Sequence, residues 1–386
     1  MYIERQIKEK FEKIANAISI IALVGARQAG KTTFLKEQAK EKNSSYLLFD
    51  DPDVKELFEE DIKKFENQYI EGRNVSILDE VQYCKDSGGK LKYLADIGRK
   101  LWITSSSEIL LSKEVLSYLV GRVSIMRLYP FSLNEFMMSK KQKEFTAKIL
   151  KRNISEHAIY GGYPKVVTTQ DFEIKKTILK GLYETMILKD ISRTFSINDL
   201  NALENVVRYI SHGIGGTFNY EQASKKINIS FQTLVRYINA MEKSYLIKRI
   251  QPFYTNKFKE IVKQPKIFFI DTGLRNIISN EFNLDGQLFE NYVVSELIKL
   301  GFSPKYWRTK SKAEVDFVIE KEKEIIPIEV KLTSHKIPKG LRSFIDTYKP
   351  KRAFVITLDG EKSKTKIKKC NVIFTDVHEM EKLLKE

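Results

Sequence analysis

Gly25-Ala26-Arg27-Gln28-Ala29-Gly30-Lys31-Thr32 lies between the apolar run Ile18–Val24 and the helical pattern that starts at Thr33. Glycines in such a turn let backbone N–H groups converge on phosphate oxygens at a helix N-terminus. Lys31 would then neutralise charge on the β- and γ-phosphates, and Thr32 would offer its hydroxyl to a magnesium ion. Residues Gly25 through Thr33 are therefore candidate nucleotide contacts, with ATP and Mg2+ as the expected ligands. A glycine-rich surface turn with a solvated lysine is the competing reading, and the flanking strand and helix weigh against it.

Val75-Ser-Ile-Leu-Asp79-Glu80 is a second apolar strand, ending in adjacent carboxylates. It resembles a Walker B motif, in which Asp79 would hold Mg2+ and Glu80 would orient or deprotonate the attacking water. Leu101-Trp-Ile-Thr-Ser105-Ser106-Ser107 is a further strand ending in hydroxyls, which also suit a helix N-cap. Arg122, between Gly121 and the apolar run from Val123, is a candidate arginine finger, because a guanidinium stabilises charge developing in phosphoryl transfer. A surface arginine at a turn is its alternative. A finger acting in trans would require a homo-oligomer.

The C-terminal third holds another constellation. Asp316 lies in Glu314-Val-Asp316-Phe-Val-Ile, and Glu329 and Lys331 lie in Ile326-Pro-Ile-Glu329-Val-Lys331. Residues two apart on a strand share a face. Asp316 and Glu329 would hold a divalent cation while Lys331 stabilises phosphate charge or positions water, as in a nuclease centre. A solvated ion pair on an amphipathic strand is the alternative. Upstream, Tyr220–Ile227 and Ser230–Lys243 read as two helices around a turn, followed by a hairpin from Tyr245–Pro252 and Lys266–Asp271, the order of a winged helix-turn-helix. Gln232, Thr233 and Arg236 on the second helix are candidate DNA contacts, with Lys248, Arg249, Lys257 and Lys259 near the wing. Such modules also serve for packing alone. The run Lys362–Lys369 reads as a solvated face.

These residues need elements to hold them. Short apolar strands at Ile18–Val24, Tyr46–Phe49, Val75–Leu78 and Leu101–Thr104, with helical patterns between, predict a parallel sheet covered by helices. From Ser132 to Leu200 the periodicity is helical, broken at Gly161-Gly162-Tyr163-Pro164. After Leu274 the pattern is again mixed, with a helix at Gln287–Leu300, strands at Glu314–Glu320, Ile325–Leu332 and Arg352–Thr357, and a helical tail. The division this predicts is 1–138 for an ATPase core, 139–200 for a helical lid, 201–273 for the winged helix and 274–386 for an α/β end domain.

The 386 residues carry 66 Lys and Arg against 50 Asp and Glu, a net charge of +16 that favours polyanionic partners such as DNA. Two cysteines and four histidines, none clustered, disfavour a disulfide framework or a zinc site. No apolar run approaches the ~20 residues of a membrane helix, and the first residues lack a secretory pattern, so a cytoplasmic location is expected.

Taken in order, the phosphate loop, Leu78-Asp-Glu-Val-Gln, Thr104-Ser-Ser-Ser, Gly121-Arg, Leu128-Tyr-Pro-Phe-Ser-Leu-Asn-Glu-Phe, Gly161-Gly-Tyr-Pro, Glu314-Val-Asp-Phe-Val-Ile and Ile328-Glu-Val-Lys resemble a prokaryotic family of AAA+ ATPases over nearly the whole chain. That family carries a C-terminal domain of unknown function similar to PD-(D/E)xK nucleases. The resemblance implies an α/β fold with a P-loop AAA+ parallel sheet, a helical lid, a winged helix and a nuclease-like end domain. It further implies that Ser106 is a γ-phosphate sensor, that Pro164 lies beside the adenine, and that Glu290 is a further acidic metal ligand. No sensor arginine follows Pro164 at a matching place. The function expected is ATP hydrolysis coupled to DNA engagement, with or without cleavage. The rival is a nucleotide-dependent switch or scaffold that binds a protein partner and cuts nothing.

Overall fold

A computed structural model describes residues 2–106, 115–140, 146–255, 260, 263–322, 324–333, 336–360 and 362–385. Lys257 and Lys259, expected near the wing, lie outside the described residues, as does Ser107. The chain forms two compact units: Met1–Pro130 with Thr185–Asn198 and Lys243–Tyr245, and Phe131–Glu184 with Asp199–Glu242 and Leu246–Glu386.

The first unit is built on a five-stranded sheet, β1 (Ile20–Val24), β2 (Ser44–Leu48), β3 (Val75–Asp79), β4 (Leu101–Ser105) and β5 (Val123–Arg127), in the order β2-β3-β4-β1-β5. Every pairing is parallel. β1, β3 and β4 are buried along their whole length, which is why their sequences read as continuous apolar runs rather than alternating ones. Helix Lys8–Ala17 inserts Phe11 between Phe34 and Trp102, with edge-on ring centroids 5.0 and 4.8 Å apart. Parallel strands all end on one edge, and the loops after β1, β3 and β4 therefore converge at their carboxyl ends, where open α/β sheets place ligands. β5 was not singled out as a strand by pattern: Ser124, Ile125 and Arg127 are not buried on this edge strand.

The second unit holds helices Leu133–Ser139, Ala147–Tyr160 and Phe172–Thr185, then Leu200–His212, Tyr220–Ile227 and Phe231–Lys243. An antiparallel pair follows, β6 (Ile247–Ile250) and β7 (Lys266–Phe269). Its larger sheet comprises β8 (Lys305–Arg308), β9 (Glu314–Lys321), β10 (Glu324–Lys331), β11 (Arg352–Thr357), β12 (Ser363–Ile367) and β13 (Cys370–Thr375), in the order β12-β13-β11-β10-β9-β8. β10 pairs antiparallel to β9 and parallel to β11, so the sheet is mixed. Val315, Val318, Leu341, Phe344, Val355 and Val372 form its core. β12, which carries Lys364 and Lys366, is the exposed edge strand, and lysines there discourage pairing with another chain.

Candidate functional site

Gly25 leaves β1 with no room for a side chain: a Cβ there would stand 2.0 Å from the Leu128 carbonyl oxygen. The loop it opens runs to Gly30, whose φ of 97° serves as N-cap of helix Lys31–Ala39. Gln28 also adopts a positive φ, 58°, so the loop turns sharply enough to aim its N–H groups at one point. Lys31 is buried, and its ammonium donates to the Gly25 and Ala26 carbonyls at 2.9 and 3.1 Å. Burial holds it below the usual lysine range, against the opposing pull of Glu80, Asp190 and Asp79. Among the described residues it makes no ion pair.

The Thr32 hydroxyl donates to Asp79 Oδ2 at 2.9 Å. Asp79 also accepts from Tyr46 at 2.7 Å and from Thr104, so one carboxylate is held by three hydroxyls from three neighbouring elements. Burial and the Asp79 charge keep the Tyr46 phenol above its ordinary range, hence protonated and donating. The pairing of a serine or threonine oxygen with an acidic strand end is the donor set that Mg2+ takes, completed by phosphates and water. Glu80 follows at φ 62°, a left-handed conformation costly for glutamate. Its carboxylate accepts from Gln82 at 2.5 Å and from the Ser106 hydroxyl at 3.3 Å. Ser106 therefore reaches the candidate water-orienting residue, while Thr104, one turn of the pleat earlier, reaches the candidate metal ligand. The alternation of β4 carries that signal, since Thr104 and Ser106 share a face.

Arg27 is engaged by a residue that local motifs do not reveal. Asp190, buried in the π-helical segment Met186–Arg193, accepts from Arg27 Nε at 3.0 Å and from Nη2 at 2.9 Å. π-Helical turns are rare and concentrate at functional sites.

Arg122 is placed away from the phosphate loop of its own chain. It precedes β5, its carbonyl accepts from the Ile20 N–H, and its guanidinium donates to Asp96 Oδ1 at 2.6 Å. Ile20 starts β1, whereas Gly25 follows its end, about 16 Å away at ~3.3 Å per residue. Arg122 therefore lies at the opposite edge of the sheet from its own phosphate loop and is no finger in cis.

Pro164, in the second unit, opens the short helix Pro164–Thr168. The glycines before it are dictated by packing. A Cβ on Gly161 would fall 2.1 Å from Asp271 Oδ1, and one on Gly162 would fall 2.2 Å from the Phe131 oxygen. The Gly162 N–H donates to Asp271 Oδ2 at 2.8 Å. Gln232 and Arg236 are exposed on helix Phe231–Lys243, while the Thr233 side chain shares a 2.8 Å bond with Ser230 at the helix start. Lys248 and Arg249 are both paired with Glu242, at 3.2 and 2.6 Å, which spends their charge within the protein.

β9 and β10 bring Asp316, Glu329 and Lys331 together. Lys331 Nζ lies 2.7 Å from Glu329 Oε1 and 3.7 Å from Asp316 Oδ2. Asp316 Oδ2 also accepts from the Val330 N–H at 2.8 Å. Glu329 is 4% exposed, and its Oε2 has no hydrogen-bond partner among the described residues. Burial and the Asp316 charge push its carboxyl up, against Lys331. A cavity of about 540 Å³ opens beside them, lined by Glu290, Asp316 and Lys331 among others. An orphaned, buried carboxylate oxygen next to a second carboxylate fits a cation ligated by Asp316 and Glu329.

Glu290, expected as a further ligand, is paired through Oε1 with buried Lys266 at 3.1 Å. Among the described residues no three His, Cys, Asp or Glu side chains are grouped to hold a metal ion.

Residues 18–137 match a family described as an AAA domain. Residues 151–285 and 285–375 match two domains of unknown function, DUF8612 and DUF4143. An uncharacterised protein of Haemophilus influenzae is 26% identical over 353 residues, covering 85% of each chain. One of Methanocaldococcus jannaschii is 27% identical over 370 residues, covering 89% of this chain and 80% of its own. Among solved structures, a Walker-type ATPase of Pyrococcus abyssi superposes with a TM-score of 0.50 at 15% identity, over 72% of this chain and 96% of its own. That likeness agrees with the P-loop ATPase fold of the AAA domain. No described helix is long and apolar enough to cross a membrane.

Proposed function

We propose that the chain is a Mg2+-dependent ATPase whose second unit engages DNA, through a winged helix and a PD-(D/E)xK nuclease-like centre. The observation that carries the ATPase reading is the buried Lys31 ammonium, bonded among the described residues only to loop carbonyls, beside the Thr32–Asp79 pair. Lys31 and the loop N–H groups bind the phosphates, and Thr32 and Asp79 would hold Mg2+. Bound there, Mg2+ supplies charge neutralisation across the phosphate oxygens. Glu80 orients the water and takes its proton, positioned by Gln82 and Ser106.

The DNA reading is supported by the net charge of +16, by exposed Gln232 and Arg236, and by a cavity lined by Asp316 and Lys331, the latter paired with buried Glu329. Asp316 and Glu329 would hold the divalent cation, and Lys331 stabilises charge on the phosphodiester. A switch without cleavage is favoured by one feature, Lys331 already paired with Glu329 and Asp316.

Supercoiled plasmid incubated with Mn2+ or Mg2+ distinguishes the two. The parent is expected to nick or linearise the plasmid, and Asp316→Ala to cut at least about a hundredfold more slowly. Plasmid left intact by the parent with both ions removes the nuclease and leaves the switch.

A further inference from the structure

Lys266 is a buried lysine contributed to the carboxylate centre by β7, the second strand of the hairpin that follows helix Phe231–Lys243. Its Nζ lies 2.6 Å from Glu314 Oε1 and 3.1 Å from Glu290 Oε1. Arg308 approaches Glu314 from β8 at 3.5 Å, and Lys331 pairs with Glu329 and Asp316. Four carboxylates thus face three fixed cations. A buried ammonium surrounded by carboxylates is compensated, whereas a divalent ion brought beside it meets repulsion that the interior screens poorly.

We infer that Lys266 is a built-in cation gate: it holds Glu290 away from metal ligation, so that a divalent ion is held by Asp316 and Glu329 alone and more weakly than the carboxylate count suggests. This deepens the nuclease-like reading above and rests on it. The Glu329 oxygen without a partner among the described residues marks where a ligand is still wanted, whereas Glu290 Oε1 already accepts from Lys266. The gate is carried by the hairpin rather than by the sheet. Its position is set by backbone contacts of that hairpin, the bridge between Thr217 and Lys266 and the bond from the Phe218 N–H to Pro265. Metal occupancy in the sheet is thereby tied to the placement of the helix-hairpin module.

The test is Mn2+ binding to the full chain without nucleotide, read by the loss of free Mn2+ signal in electron paramagnetic resonance. Every protein carries Asp79→Asn, so that the metal position of the AAA domain is silent. Glu290→Gln is expected to bind Mn2+ within about twofold of the parent, Lys266→Met at least tenfold more tightly, and Asp316→Asn not measurably. Glu290→Gln keeps the shape of the site and does not bury an unpaired acid, so it decides the matter even where Lys266→Met fails to fold. Loss of Mn2+ in Glu290→Gln comparable to that in Asp316→Asn would overturn the gate and leave a three-carboxylate centre. Mn2+ binding unaffected by Asp316→Asn would instead overturn the centre itself.

Discussion

Lys31→Ala is expected to lose ATP turnover at least about a hundredfold, and Glu80→Gln to lose it for a different reason. Lys31 is buried on the phosphate loop with two carbonyl acceptors, so the alanine variant leaves phosphate charge uncompensated in a poorly screened site. Both nucleotide affinity and turnover should fall, the latter at least about a hundredfold. Glu80→Gln removes a base while keeping the size and the hydrogen bonds to Gln82 and Ser106. Affinity for ATP should survive, and turnover should drop by a factor of about 10² or more. Equilibrium binding of a fluorescent ATP analogue, set beside phosphate release at saturation, separates the two. Parent-like turnover in Glu80→Gln would move the water-orienting role to another group.

Gly25→Ala should be nearly as damaging, although it adds a single methyl and removes no chemistry. The methyl would meet the Leu128 carbonyl oxygen at 2.0 Å, and Leu128 cannot retreat because its N–H is bonded to Val24 at 2.8 Å. The start of the loop must therefore shift, and with it the carbonyl that holds Lys31. Overpacking of this kind costs about 1–3 kcal/mol in stability. The expected outcome is a lowered Tm together with at least a tenfold loss of ATP affinity. Gly181→Ala, in helix Phe172–Thr185 with nothing within 4 Å of the new methyl, is the control and should leave ATP affinity unchanged. Parent-like affinity in Gly25→Ala would mean that the loop tolerates the shift and that its geometry is not what binds phosphate.

What could be read from the chain alone follows how local the determinants are. The phosphate loop and the Asp79-Glu80 strand end are contiguous, and their flanking apolar runs fix them at the carboxyl edge of a parallel sheet. Asp190 could not be found in this way, because 163 residues separate it from Arg27 and a lone acid in an amphipathic helix reads as solvent-facing. For Arg122 the sequence bears on cis against trans: a residue just before a parallel strand sits at the edge away from its own chain's ligand, which leaves a finger acting in trans as the form of that expectation. Gly161 and Gly162 read as a turn beside adenine, whereas close approach to Asp271 and Phe131 accounts for both. β8, β12 and β13 escaped because the lysine-studded β12 lacks an apolar face and β8 spans only four residues. Glu329 and Lys331 were legible from strand spacing. The pairing of Glu290 with Lys266 was not, since it joins a helix to the strand of another sheet.

On the proposed function, nucleotide bound at the Gly25–Thr32 loop changes how the second unit holds DNA. Fluorescence anisotropy of a labelled duplex, titrated with the full chain at fixed salt, measures it in three states: without nucleotide, with ADP, and with a non-hydrolysable ATP analogue and Mg2+. The account predicts dissociation constants that differ between the ADP and ATP-analogue states by about fivefold or more, a coupling of about 1 kcal/mol, and a difference that vanishes in Lys31→Ala. Equal constants in all three states, or no binding of duplex at all, would contradict it.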